Sequence, residues 1–223
     1  MSPGRRALRV LISSGPTREP VDAVRFLSNY STGTMGAALA SAALARGHRV
    51  TVVTGPSQAP LPKGARVVPV EQAAEMAQAM RRAAPRADAI LMAAAVADFR
   101  PARVLRAKLS RRRGLTLKLV PTQDIIGTLP RRRRQVVVGF AVEVAGTLEK
   151  ARRKLREKRL DLLVAQQTGP DGSPFGRRPV RAWLLERATS GTRVQPLGRV
   201  SKARVAGLLL DKVEALCYGQ GTL

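Results

Sequence analysis

Three stretches of this chain carry residues whose types and spacing could do chemistry. The first runs from Ser13 to Arg18 and on through Ser28–Gly36, where glycines and hydroxyls (STGTMG) open a helix. The free N–H groups of such a start cradle phosphate or carboxylate. The stretch is not G-x-G-x-x-G, and the loop before it is too long for a compact dinucleotide turn, so a plain structural loop competes with an anion site. The second is AAAVAD, ending in Asp98. That carboxylate could hold a metal ion, a ribose hydroxyl or a base amine, or cap a turn. The third is a set of lysines: Lys108 in a basic loop, and Lys154 and Lys158 four residues apart on one helix face. Lysine is a mobile point charge suited to phosphate oxygens. Each of the three could equally be a solvated surface residue. Other chemistries are excluded. His48 is the single histidine and falls at a helix-to-strand turn, so no Ser-His-Asp set forms. Cys217 is the single cysteine, which rules out an intramolecular disulfide and a cysteine metal cluster. Neither a P-loop nor HExxH is present.

The elements that must position these residues follow from periodicity. Leu8–Ser13 is a short apolar run stopped by Gly15-Pro16, as in a buried strand. Ser31 and Thr32 are placed to cap a helix reaching Arg46, with Gly36, Ala37 and Ala40 small enough for close packing and Gly47 as the stop. Strands follow at Arg49–Thr54 and Ala65–Val70, a helix at Glu71–Ala84, and a fourth apolar run at Ala89–Ala95. This alternation predicts an α/β fold with a doubly wound parallel sheet, whose ligand crevice lies at the C-terminal strand ends. The rhythm then changes. Phe99–Gly114 reads as a basic loop, Leu115–Val120 as a half-exposed strand, and Asp124–Leu129 as a short helix. Gln135–Ala141 and Asp161–Ala165 read as strands around an amphipathic helix, Thr147–Arg159. Arg181–Glu186 and Arg193–Leu197 read as a hairpin, and Ser201 caps a last helix with Val205, Leu208, Leu209, Val213 and Leu216 on its apolar stripe. With no repeat and no linker, residues 1–223 read as one domain: a Rossmann-like core over about 8–165, then a hairpin and helix over 166–217.

Charge is the strongest compositional signal: 40 Lys+Arg against 15 Asp+Glu give a formal net charge of +25 in 223 residues. A hydrophobic content of 44% excludes global disorder. No apolar run is long enough to cross a membrane, and the N-terminus lacks a secretory signal, so a cytoplasmic location is expected. A positive field suggests nucleic acid, yet aromatics are only 3%, too few for base stacking. The clusters Arg111–Arg113 and Arg131–Arg134 fall between elements and read as solvated loops. A nicotinamide-dependent reductase would need an acid after the second strand, which instead ends Thr54-Gly55-Pro56, and neither tyrosine sits in a YxxxK motif. A basic RNA-binding module is the third reading.

Taken in order, SSGPTREPVDAVRFLSNYSTGTMG, VTVVTGP, AAAVADFRP, KLS, PTQDI, VGFAVE and LEKARRKLREKRLDLLVA span nearly the whole chain. This sequence resembles the bacterial phosphopantothenate–cysteine ligases of coenzyme A biosynthesis. The resemblance implies a two-step amide synthesis through an acyl-cytidylate, with CTP as co-substrate, Mg2+ on the triphosphate and a homodimeric enzyme. It implies that Asn29 holds the acyl-cytidylate, with Ser31, Gly33, Met35 and Gly36 at the substrate and Gly15 near the nucleotide. Met92, Ala93, Ala94, Asp98, Gln123, Asp124, Ile125, Ile126 and Phe140 would line the nucleotide site. Lys108 would be the first lysine of a flap, within Phe99–Gly114, that closes over the phosphates, and Lys154 and Lys158 would reach the triphosphate. In many bacteria the ligase is fused behind a flavin-dependent decarboxylase. The resemblance here is to the free-standing form or an excised domain, so no flavin is expected in this chain and a separate decarboxylase is a possible partner. Neither a specific nucleic acid nor a membrane partner is expected. Three departures stand out: Lys108-Leu109-Ser110-Arg111 in place of K-x-K-K, Thr122-Gln123-Asp124-Ile125 in place of N-P-D-I, and Ala165-Gln166-Gln167 in place of A-N-D.

Overall fold

A computed structural model of the chain describes residues 6–108, 114–144, 147–168, 175–189 and 191–219. Short β-branched runs alternate with helices, as the periodicity predicts. The first half runs β1 (Arg9–Ser14), β2 (Arg18–Pro20), β3 (Phe26–Ser28), α1 (Thr34–Ala45), β4 (Arg49–Thr54), β5 (Arg66–Pro69), α2 (Ala73–Ala83) and β6 (Ala89–Met92). The second half runs β7 (Phe99–Pro101), β8 (Leu119–Pro121), α3 (Ile125–Thr128), β9 (Val136–Glu143), α4 (Thr147–Glu157), β10 (Leu162–Gln167), β11 (Val180–Ala188), β12 (Gly191–Val200) and α5 (Lys202–Gly219).

Eight strands form one sheet in the order β12-β11-β10-β9-β6-β1-β4-β5. The pairings from β10 to β5 are all parallel, and β11 and β12 add on antiparallel. The chain winds outward from β1 through β4 to β5, then returns to place β6 on the other side of β1. That reversal makes the β1/β6 boundary the switch point, where the loops part and leave a crevice. The pleat sorts the core into two faces. Val10, Ile12, Val52, Leu91, Val138 and Val164 pack under α1 and α5. Leu11, Val53 and Ile90 meet Met76 and Met80 of α2, and Val137 and Leu163 meet Ala151 and Leu155 of α4.

Several local expectations change. The C-terminal hairpin is longer than its apolar periodicity suggests and continues the main sheet, because Val180, Ala182 and Leu184 bury against the α5 face. Two further antiparallel pairs form, β2 with β3 and β7 with β8; β2, β3 and β7 lie in stretches read as loop, since strands of three residues are too short to show a period. The half-exposed strand expected over Leu115–Val120 contracts to Leu119–Pro121. Residues 109–113, with Arg111–Arg113 and the rest of the KLSR stretch, lie outside the described residues. Neither Ser31 nor Thr32 caps α1. Gly33 is the N-cap in a left-handed turn (φ 76°) and no side chain accepts from the first turn. A left-handed backbone there favours glycine over a hydroxyl-bearing residue. Ser201 does cap α5, its Oγ accepting from the Arg204 N–H at 3.2 Å.

Of the arginines near 131, Arg132, Arg133 and Arg134 are exposed as expected, but Arg131 is half-buried, and it and Arg132 are tied to the scaffold. Arg131 donates to the carbonyls of Lys158 and Arg159 at 2.7 Å each and of Ile126 at 3.0 Å, and Arg132 donates to that of Ala87 at 2.8 Å. A guanidinium satisfies carbonyls left free where a helix ends and is favoured there by the helix dipole. His48 is structural. Its Nδ1 accepts from the Leu8 N–H at 3.4 Å and its Nε2 meets Glu214 at 3.0 Å, tying β1 to α5.

The N-terminal rim of the sheet is fastened by Asp88. Burial by itself raises this carboxyl's pKa, but the Arg9 N–H at 2.8 Å and the guanidinium groups of Arg6 and Arg9 outweigh it and hold the group at about 2. The folded value is depressed below the ordinary 3.8, so the stabilisation is present above pH 3.8 and is lost as pH falls through about 2. Asp88→Asn should therefore cost about 2 kcal/mol near neutral pH. The gap between the two proteins should close in acid. Urea titrations of both across pH 2–7 check this.

Candidate functional site

The loops that part at the switch point enclose a cleft of about 540 Å³. Its floor is backbone. The chain after β6 is zipped to the chain after β1: the Ala95 N–H donates to the Gly15 carbonyl at 2.9 Å, and the Ala97 N–H to Thr17 Oγ1 at 2.9 Å. Ser13 Oγ accepts from the Ala94 N–H at 3.1 Å. Ser13 and Thr17 are fully buried, so these hydroxyls exist to serve the opposing backbone. A Cβ on Gly55 would lie 1.7 Å from the Pro16 carbonyl oxygen, which fixes the approach of the loop after β4.

Asn29 stands at the cleft mouth. Its Nδ2 donates to the carbonyls of Ala95 at 2.9 Å and Val96 at 3.2 Å. Both amide hydrogens are spent on the protein, which leaves Oδ1 as the side chain's free polar atom. In this arrangement Asn29 presents an acceptor to the cleft. Ser31, Gly33 and Met35 line the cleft at the start of α1. Gly15 and Gly36 lie beneath it. A Cβ on Gly36 would meet Ser14 Oγ at 2.1 Å, and one on Gly15 would meet the Gly55 carbonyl oxygen at 3.0 Å, so both permit close backbone packing.

Met92, Ala93 and Ala94 form the wall at the end of β6, and Asp98 is exposed on the rim. The Asp98 carboxylate makes no hydrogen bond to a described residue, while its carbonyl accepts from the Thr122 N–H at 2.9 Å. Gln123, Asp124, Ile125 and Ile126 line the facing wall. Gln123 is drawn aside, its side chain donating to Thr128 Oγ1 at 3.2 Å. Asp124 caps α3 through the Gly127 N–H and pairs with Lys158 at 2.5 Å. Burial raises the Asp124 pKa, but these two donors outweigh it and the net shift is downward. Lys154 is deeper. It donates to the Phe140 carbonyl at 2.8 Å, and desolvation lowers its pKa against the pull of Glu143 and Asp98. Lys154, Lys158 and Phe140 thus share one end of the cleft. Lys108 is exposed and does not line the cleft.

The cleft also takes in side chains with no assigned role in the sequence reading, two of them polar and buried. Gln166 ends β10, and Lys202 begins α5. Gln166 stood out only as a departure from a motif. The only sequence signal at Lys202 is a cation in the first turn of a helix, where it opposes the dipole.

Two acidic groups, Asp98 and Asp124, reach the cleft, and no cluster of three metal-ligating side chains exists among the described residues. The arrangement suits a polyanion held by lysines and N–H groups, with a positioned amide beside it.

Residues 6–216 match the family described as DNA/pantothenate metabolism flavoprotein C-terminal domain. The chain is 37% identical over 214 residues to a cysteine/cysteine sulfinic acid decarboxylase from an unknown prokaryotic organism, covering 94% of this chain and 59% of that protein. It is 44% identical over 170 residues to the coenzyme A biosynthesis bifunctional protein CoaBC of Bacillus subtilis, covering 75% and 42%. The chain thus spans about half the length of these curated relatives. Among solved structures, the C-terminal domain of a coenzyme A biosynthesis bifunctional protein CoaBC superposes with a TM-score of 0.79 at 32% identity, covering 95% of this chain and 96% of that one. On the match across nearly its full length, this chain belongs to the DNA/pantothenate metabolism flavoprotein C-terminal domain family.

Proposed function

We propose that the cleft joins 4′-phosphopantothenate to L-cysteine at the expense of CTP. The observation that carries this reading is the pairing, in one cleft, of an immobilised amide at Asn29 with the buried cation Lys154 and its neighbour Lys158. Family membership and the coenzyme A relatives supply the substrate class. A carboxylate is a poor electrophile, so it must be activated. Its oxygen attacks the α-phosphorus of CTP, a P–O bond to pyrophosphate breaks, and an acyl-cytidylate forms. The amine of cysteine then attacks the acyl carbon, the C–O bond to CMP breaks, and the amine gives up a proton. Lys154 and Lys158 neutralise phosphate charge, and Phe140 and the Met92–Ala94 wall pack the nucleotide. Asp98 faces its sugar or base. Asn29 Oδ1 accepts from the incoming amine and orients its lone pair, a positioning role.

Mg2+ fits as an ion carried on the triphosphate, bridging phosphate oxygens, because the two carboxylates of the cleft are too few for an all-protein cage. Lys108 serves as a flap cation that moves over the phosphates. Exposed Phe26, Phe99 and Leu119 on the two small hairpins offer an apolar surface for a second copy of the chain. A monomer in sedimentation equilibrium would remove the dimer from this reading. A decarboxylase acting on the cysteine-derived carboxylate of the product would be a separate activity, on another segment or another chain.

The test is pyrophosphate release with each of the four ribonucleoside triphosphates. The expected result is release with CTP that requires 4′-phosphopantothenate. Absence of release with every nucleotide sinks the ligase reading.

A further inference from the structure

We infer that Lys202 and Gln166 form a second anion subsite of the cleft, on the α1 and α5 side of the sheet, which takes the phosphate oxygens of a substrate. The end of the cleft described above, with Lys154, Lys158 and Asp124, is built by α3 and α4, which pack on the opposite face of the sheet. Lys202 is 6% exposed and Gln166 5%, yet both line the cleft. Lys202 pairs with no carboxylate among the described residues; its ammonium donates to the Gly176 carbonyl. The Gln166 amide makes no hydrogen bond to a described residue. Among the described residues, then, a buried ammonium has no counter-charge and a buried amide no partner, a costly arrangement that a bound ligand would relieve.

The third component is the start of α1. No side chain caps it, and Gly33 turns the chain so that its first N–H groups are left for a ligand. Thr32 and Thr34 hydroxyls lie 2.7 Å apart beside it. The Gly176 N–H donates to Thr32 Oγ1 at 3.2 Å while the Gly176 carbonyl accepts from Lys202. One residue therefore bridges the two, which puts the ammonium next to the helix start. Lysine in the first turn of α5 works against that helix's own dipole. Desolvation lowers its pKa, and a bound anion would oppose that shift. A row of N–H donors, two hydroxyls, an amide and a buried cation together recognise phosphate.

Two phosphate sources exist on the ligase reading, on which the identity of the donor rests: the outer phosphates of the nucleotide and the phosphate monoester of phosphopantothenate. The experiment is calorimetric titration of the full chain and of Lys202→Met with inorganic tripolyphosphate, CTP, CMP, 4′-phosphopantothenate and pantothenate. The expected loss on substitution is about 10- to 100-fold, the scale of one charge-assisted contact. A loss for tripolyphosphate and CTP with CMP unchanged assigns the subsite to the nucleotide. A loss for 4′-phosphopantothenate with pantothenate unchanged assigns it to the monoester. Unchanged affinity for all five overturns the proposal and leaves Lys202 as a clasp for Gly176. Gln166→Leu carries the same comparison if Lys202→Met does not fold. Failure of the ligase reading looks different: no pyrophosphate is released by the wild-type chain, yet tripolyphosphate binding still depends on Lys202.

Discussion

Asn29→Ala should slow amide formation by about 10²- to 10³-fold, the loss typical when one preorganised polar contact to the reacting groups is removed. Nucleotide affinity should stay within a few fold. The split follows from the hydrogen bonds. The Asn29 amide spends both hydrogens on Ala95 and Val96, so the side chain is rigid and presents only Oδ1 to the cleft. The backbone it braces is held independently by Gly15 and Thr17, through the Ala95 and Ala97 N–H groups. Removing the side chain therefore spares the nucleotide wall and removes the acceptor for the amine. Asn29→Asp should be worse than alanine, because a carboxylate oxygen would face two carbonyl oxygens with no proton between them. Rapid quench separates the steps. Pyrophosphate should appear in a near-normal burst while amide and CMP lag. Equal slowing of both products would make Asn29 only a brace for the loop.

Lys154→Met should lower kcat/KM for the nucleotide by about 10²- to 10³-fold, while Lys154→Arg should recover part of the loss. The lysine is anchored to the Phe140 carbonyl, with its remaining donors free for phosphate oxygens. Desolvation is the largest influence on its pKa, followed by the opposing charges of Glu143 and Asp98, and the net direction is down from 10.5. The charged form is the one that binds phosphate. Activity should fall as pH rises through this depressed pKa, with the alkaline limb of kcat/KM below the ordinary lysine range. That limb belongs to the free enzyme. It should vanish in Lys154→Arg, whose guanidinium does not titrate there. A limb unmoved by the arginine substitution would assign it to another group.

How much of this was legible beforehand depends on the type of signal. The central strands were plain, because LRVLIS, RVTVVT and QVVVGFA are apolar runs of strand length between turn signals. The switch point followed from the alternation of strand and helix. Phe26–Ser28 and Phe99–Pro101 were not legible, since three residues carry no period and their pairing is decided by partners far along the chain. At the start of α1 the capping rule favoured Ser31 and Thr32, but a left-handed backbone at Gly33 overrode it. Arg131 read as solvent-facing because a run of arginines hides the one that reaches the end of α4. Within the site, periodicity placed Asp98 and the Lys154–Lys158 face, whereas Asn29 drew attention only through resemblance. Lys202 was missed because a single lysine at a helix start is conspicuous only once it is seen to be buried. The large positive charge is similarly reapportioned. A few lysines face the cleft, some arginines hold the scaffold together, and the rest supply a basic surface field.

The central claim is that the nucleotide activates a carboxylate by transfer of its nucleotidyl group. The most direct measurement is isotope transfer from 4′-phosphopantothenate labelled with oxygen-18 in its carboxylate, in the presence of CTP and cysteine. The acyl-cytidylate route breaks the acyl C–O bond and leaves one labelled oxygen on phosphorus, so CMP should carry the label and pyrophosphate none. Label in inorganic phosphate, with CDP as the nucleotide product, would contradict it and point instead to an acyl phosphate.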